Sequence, residues 1–269
     1  MYTMALHDSL ADRLFYTNRK TYTDREGNIA YLDAKGLKRP FSMPMAQRVI
    51  AAIIVVAAIF IGYMFVDKTV LNTYREAAAF EKTIEENLAR PASIETLPNV
   101  AVLMPLDNET IMASLNETGL KFYDMTELND SYDLMVCKLP DDMTAEEAAA
   151  LYANGIGSLQ ATQATKLLNG SWTLGVDREN STMIVRYCDF KTGDPQIAVQ
   201  NAVIKEGFDT ASITESGVDD SGNTFSTGTI ETESGTYVWK VSALQLDEIY
   251  SISGLPEKAC YVGVRLTNA

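Results

Sequence analysis

RVIAAIIVVAAIFIGYMFVD, running from Arg48 to Asp67, decides how the rest of this 269-residue chain is read. Between its charged ends lie 18 residues, Val49 to Val66, without one charge. As a helix they cover about 27 Å, close to the roughly 30 Å hydrocarbon core of a bilayer. A helix in a soluble domain normally keeps a polar face over such a length. β-Branched residues such as Ile53, Val55 and Ile59 lower helix propensity in water, but in lipid an unsatisfied backbone group costs more than that penalty. Tyr63 and Phe65 near one end suit an interfacial aromatic belt. A cleaved signal peptide would sit at the extreme N-terminus and end in a small-x-small site. Here 48 residues precede the segment, no such site follows it, and no nearby Cys suggests lipidation. The stretch reads as an uncleaved signal anchor over residues 48–67.

Charge gives the expected orientation. Of 22 Lys/Arg and 36 Asp/Glu, 8 and 5 lie in residues 1–48, leaving 14 and 31 beyond the span, a net of −17. Lys35, Lys38, Arg39 and Arg48 abut the anchor, so the positive-inside rule keeps residues 1–47 in the cytoplasm and places the remainder outside the cell membrane. Such an acidic outer part repels nucleic acid and anionic lipid heads. Solubility explains the acidity; a cationic partner or loosely held Ca²⁺ is the rival explanation.

Outside the span the chain divides into a cytoplasmic tail (1–47), a juxtamembrane helix and linker (68–98) and an outer domain (99–269). In the tail, Leu6, Leu10, Leu14 and Phe15 share one helical face, and TYTDREGNIAYLD has two alternating runs around Arg25–Asn28, a hairpin pattern. After the span no Gly or Pro interrupts DKTVLNTYREAAAFEKTIEENLAR, so the membrane helix is expected to continue to about Arg90. Val70, Ala77, Phe80 and Ile84 form a rough seven-residue stripe that Thr73 and Asn87 spoil. With Ala58 and Gly62 at small-xxx-small spacing, the stripe points to a homodimer through this helix. Pro91 and Pro98 mark the linker.

From Val100 onward strands and helices alternate. NVAVLMPL reads as a strand, DNETIMASLNETG as a helix, LKFYDM and YDLMVCKLP as strands. TAEEAAALYANG opens with a Thr144–Glu147 capping box and closes at Gly155. SWTLGVDRENSTMIVRYCDF is a hairpin. DPQIAVQNAVIKEGF is a helix with Asp194 as cap, Pro195 first and Gly207 last. Short strands fill the remainder. Gly175–Tyr187 set beside Thr229–Val241 pairs Val176 with Ile230, Asp177 with Glu231 and Arg186 with Lys240, the pattern of an internal helix-hairpin repeat over 99–192 and 193–269. Capped helices among antiparallel hairpins define an α+β class on a single transmembrane helix.

Chemistry is scarce. The only histidine is His7, so the outer part carries no Ser-His-Asp, no Cys-His pair and no His metal ligand. No phosphate-binding or dinucleotide fingerprint is present, and no metal or cofactor is expected. Carboxylate catalysis would fall to Asp141/Asp142, Glu146/Glu147 or Asp219/Asp220, all of which also suit helix starts and turns. Cys137 and Cys188 could form a disulfide if their strands are neighbours; buried thiols are the ordinary alternative, and Cys260 makes the count odd. Sequons occur at Asn108, Asn116, Asn129, Asn169 and Asn180. Trp172, Tyr187, Tyr237 and Trp239 either stack on a ligand or build the core. The expected function is non-catalytic binding or scaffolding in the cell envelope, with an envelope protein or polysaccharide as partner. A transmembrane signal transducer and a carboxylate-based envelope hydrolase are the rivals.

Overall fold

The computed structural model describes the backbone of Met4–Ala5, Lys20–Thr23, Ile29–Leu32, Lys38–Pro40 and residues 45–269, with side chains from Val49 on. It divides into two units, Met1–Ala77 and Ala78–Ala269.

In the first unit the expected tail hairpin is present as β2 (Lys20–Thr23) and β3 (Ile29–Leu32), paired antiparallel from Lys20↔Leu32 to Thr23↔Ile29. β1 (Met4–Ala5) and β4 (Lys38–Pro40) extend it to a four-stranded sheet in the order β1-β2-β3-β4. The amphipathic helix expected through Leu6, Leu10, Leu14 and Phe15 lies outside the described residues. Helix α1 (Met45–Val66) contains the uncharged stretch, and every residue from Val49 to Val66 is exposed. It is the one helix among the described residues long and apolar enough to cross a membrane. One π turn (Asp67–Leu71) follows where the apolar run ends. There Thr69 Oγ1 donates back to the Phe65 carbonyl, a side-chain bond that competes with the helical ladder and favours irregular turns. Helix α2 (Asn72–Leu88) follows directly.

The second unit is built on one antiparallel sheet of eight strands. These are β5 (Phe122–Asp124), β6 (Leu134–Lys138), β7 (Trp172–Asp177), β8 (Thr182–Asp189), β9 (Ile213–Val218), β10 (Thr224–Thr232), β11 (Gly235–Gln245) and β12 (Cys260–Asn268). The order is β5-β6-β7-β8-β12-β11-β10-β9. Two four-strand meanders thus run inward from the two edges and meet at β8 and β12, from Cys260↔Asp189 to Thr267↔Thr182.

The helices divide between the two faces by their apolar residues. On the first face lie α3 (Val100–Leu103), α4 (Asn108–Glu117) and α7 (Pro195–Glu206). They pack Val100, Ile111, Leu115, Val199 and Val203 against Val136, Leu174, Val185, Val264, Trp239 and Val241. On the second face α5 (Ala145–Ala153), α6 (Ala161–Leu168) and the short α8 (Leu246–Ile249) gather Ala148, Leu151, Ala164, Leu167 and Leu246 around Cys137 and Cys188. Local chemistry explains these helices. Asp107, Thr144 and Asp194 each accept a backbone N–H in the first turn of α4, α5 and α7, and Gly207 closes α7 in the left-handed conformation at φ 73°.

Two expectations change. NVAVLMPL is a helical turn, not a strand: Asn99 caps it by accepting from Val102 N, and Val100 N donates to Glu206 Oε2 at 2.9 Å. An apolar run this short has no periodicity to separate helix from strand, and tertiary partners decide. The repeat also takes another form. The two hairpins share a register, Asp177↔Thr182 against Glu231↔Thr236. Yet α6, which precedes the first, packs on the second face, and α7, which precedes the second, packs on the first. What recurs is α4 leading into β5–β8 and α7 leading into β9–β12, both helices on the first face. The regions 99–192 and 193–269 accordingly share one sheet.

Candidate binding face

The residues singled out by the sequence are mostly structural. Trp172, Tyr187, Tyr237 and Trp239 are all buried on the first face, and Trp239 stacks on Phe208 at 4.9 Å between ring centroids. Core packing, not ligand stacking, claims them. Cys137, Cys188 and Cys260 are free and buried. Strand β7 separates β6 from β8, so Cys137 and Cys188 do not meet the neighbouring-strand condition for a bond. Burial pushes the thiols of Cys137 and Cys260 up to about 11, which keeps them protonated and unreactive.

Four of the six paired carboxylates serve as ties, and Asp220 lies exposed in the turn before β10. Asp142 Oδ1 takes Arg90 Nη1 at 2.9 Å, Asp141 Oδ1 faces Lys138 Nζ at 3.5 Å, and Glu147 Oε1 takes Lys166 Nζ at 2.6 Å. Glu146 sits in the first turn of α5, where a backbone hydrogen bond from its own N–H holds its carboxyl below the usual range. Burial raises Asp219, but hydrogen bonds from Asn223 outweigh it and leave the group low; Asp219 also accepts from Ser221 N and pairs with Lys240 at 3.3 Å. These are turn and ion-pair roles. Among the described residues no cluster of three or more His, Cys, Asp or Glu could hold a metal ion. Of the sequons, Asn116 and Asn180 are exposed, whereas Asn169 is buried and donates through Nδ2 to the Asn87 carbonyl at 2.8 Å.

The second sheet face is covered only in part. Beyond the α5–α6 cluster, three cross-strand rows remain accessible. One runs Ile184–Arg265–Lys240–Thr227, the next Arg186–Gly263–Ser242–Phe225, the third Thr182–Thr267–Val238–Thr229. Apart from Thr182, no residue in them is buried. Three cations from three adjacent strands therefore project from one open face of an acidic domain. Lys240 and Arg265 stand directly opposite each other, a like-charge pairing that weakens a sheet. Aromatic rings hold two of the three. Arg186 Nη2 donates to Tyr132 Oη at 2.7 Å with its guanidinium 5.6 Å from the ring centroid, and Lys240 Nζ lies 4.7 Å from the centre of Phe225. Gly175 lets Tyr132 lie against β7, since a Cβ there would come within 2.8 Å of the ring. Asp177, held low by hydrogen bonds from Asn180, and Asp219 flank the cations.

Sequence reasoning missed this face, although a signal was there. Arg186, Lys240 and Arg265 are the lone cations of their strands, in runs otherwise apolar or neutral apart from Asp189 at the end of β8. Their common side depends on β12 lying between β8 and β11, which no local pattern announces.

A second missed residue is Glu206. It is 1% exposed, its Oε2 accepts from Val100 N, and its Oε1 is without a partner. Burial raises its carboxyl to about 7. The signal was an acid in the last helical turn, where the helix dipole disfavours it.

Scans against protein-family models, curated proteins and solved structures find no match. The chain is thus defined by its own parts: an α+β domain with a half-open antiparallel sheet, and one helix long and apolar enough to cross a membrane.

Proposed function

We propose that this is a single-pass membrane protein whose α+β domain lies outside the cytoplasm and binds or scaffolds a component of the cell envelope without catalysis. The carrying observation is the pairing of a fully exposed apolar helix with a domain that leaves three cross-strand rows of one sheet face uncovered. A helix with 18 exposed apolar residues needs lipid around it, and lipid fixes the second unit at a surface. Lys35, Lys38, Arg39 and Arg48 support the orientation. The titratable groups support binding over turnover, because Asp141, Asp142, Glu147 and Asp219 are engaged in ion pairs and the raised carboxyl, Glu206, is sealed in the core.

A photo-crosslinking residue placed at Val238 on the open face of the full-length protein in cells tests the reading. A discrete envelope adduct is expected there, and none from the same residue at Ile204, which is 68% exposed on the outer side of α7. Identical adduct patterns at the two positions, or none at either, would remove the proposal.

A further inference from the structure

We infer that the open face takes an acidic peptide segment, its carboxylates on Arg186, Arg265 and Lys240 and an apolar side chain between them. This rests on the binding role proposed above and names the chemistry of the partner. The first observation is charge. Beyond the span acids outnumber bases 31 to 14, yet three bases from β8, β12 and β11 converge on one accessible face. Asp219 pairs with Lys240 at 3.3 Å, but Arg265 directly opposite has no hydrogen-bonded carboxylate among the described residues, so an anion laid at its head relieves the like-charge pairing that remains. Arg186 sits on the row beside Arg265, diagonally about 7–8 Å away, so one extended chain can reach all three.

The second observation separates a peptide from an anionic polysaccharide. Ile184 and Phe225 share rows with the cations, and Val238, in the neighbouring row, is 39% exposed. Covering them removes apolar surface from water, a gain available to a peptide with apolar side chains and small for a uniformly hydrated sugar chain. Gly263 deepens the middle of the face. A Cβ at Gly263 would find only Ser242 Oγ, at 3.6 Å, so the floor there has space for an incoming side chain. Asp177 and Asp219 border the cations and the rest of the domain is acidic, so a segment whose carboxylates miss the three cations is repelled.

The test uses full-length protein in nanodiscs and a fluorescent Glu-Leu-Glu-Ser-Glu peptide, with a polyuronate oligomer of equal charge as comparison. Saturable peptide binding is expected, weakened at least fivefold by Arg265→Gln and by Arg186→Gln, and weakened also by Val238→Ala. Arg265 is exposed and makes no core contact, so R265Q keeps the fold, and an unchanged circular dichroism spectrum checks this. Wild-type affinity in R265Q and R186Q, or tighter binding of the polyuronate than of the peptide, would overturn the assignment. A crosslinked envelope component at Val238 that persists in R265Q would retire the acidic peptide and leave the binding role standing.

Discussion

Glu206 shows what a single buried carboxyl does to this fold. Its neutral form suits the core: Oε2 accepts the Val100 amide while Oε1 has no donor to stabilise a charge. The nearby phenol of Tyr187 is also buried without a partner, and burial raises its ionisation, with Asp189 and Glu206 adding to the shift. The folded state therefore holds its proton up to about pH 7, whereas an unfolded Glu releases it near 4.5. A raised carboxyl gives stability that is complete below the unfolded value and is lost as pH climbs to the folded one. Unfolding free energy of the second unit should fall between pH 4.5 and 7 by on the order of 3 kcal/mol and then level off. Glu206→Gln should flatten that slope in denaturant titrations across the range. A slope unchanged by the substitution would show that another group carries it.

At the scale of elements, α2 illustrates how a residue that spoils one pattern completes another. Asn87 breaks the seven-residue stripe expected for self-association. In the second unit it is buried and donates through Nδ2 to the Thr162 carbonyl at 2.9 Å and to Thr165 Oγ1 at 3.0 Å. Its Oδ1 accepts from Arg90, and its carbonyl accepts from Asn169. Ile84 packs on the same cluster, and Phe80 lies against Gly254, so the C-terminal part of the stripe is spent inside the unit. Asn87→Ala removes the donor to the Thr162 carbonyl and Thr165 Oγ1 on α6 and the acceptor for Arg90. We expect it to cost about 1–3 kcal/mol in chemical denaturation, and a loss below about 0.5 kcal/mol would contradict this account.

The same scale shows what sequence could and could not reveal. Elements specified by local chemistry were legible: α4, α5 and α7 from their caps, β7–β8 from alternation. Helix α6 was not anticipated, because Gln160 is a weak cap and Thr162 and Thr165 are poor helix formers. Only Ala161, Ala164, Leu167 and Leu168 at helical spacing hinted at it. The open face was illegible for a different reason. Each cation was visible within its own strand, but their meeting depends on contacts between residues some eighty positions apart, such as Arg265 beside Ile184.

Over the whole molecule, the sheet is held at its centre by its last strand. β12 pairs along its length with β8 on one side and β11 on the other, and buries Val262, Val264 and Leu266 completely. Without it the two meanders have no hydrogen-bonded connection and the first-face core loses its middle. A chain stopped after Ala259 should lack a cooperative unfolding transition by calorimetry and near-ultraviolet circular dichroism. A sharp transition in that truncated chain would mean that either meander is stable alone.

Ribosomes deliver this architecture in an awkward order. The keystone emerges after the seven other strands of its sheet, so β8 and β11 must wait with sticky flanks bare while it is being made. A nascent chain of this kind is exposed to chaperones and proteases until β12 is complete, and a premature stop anywhere before β12 yields debris rather than a shortened working domain.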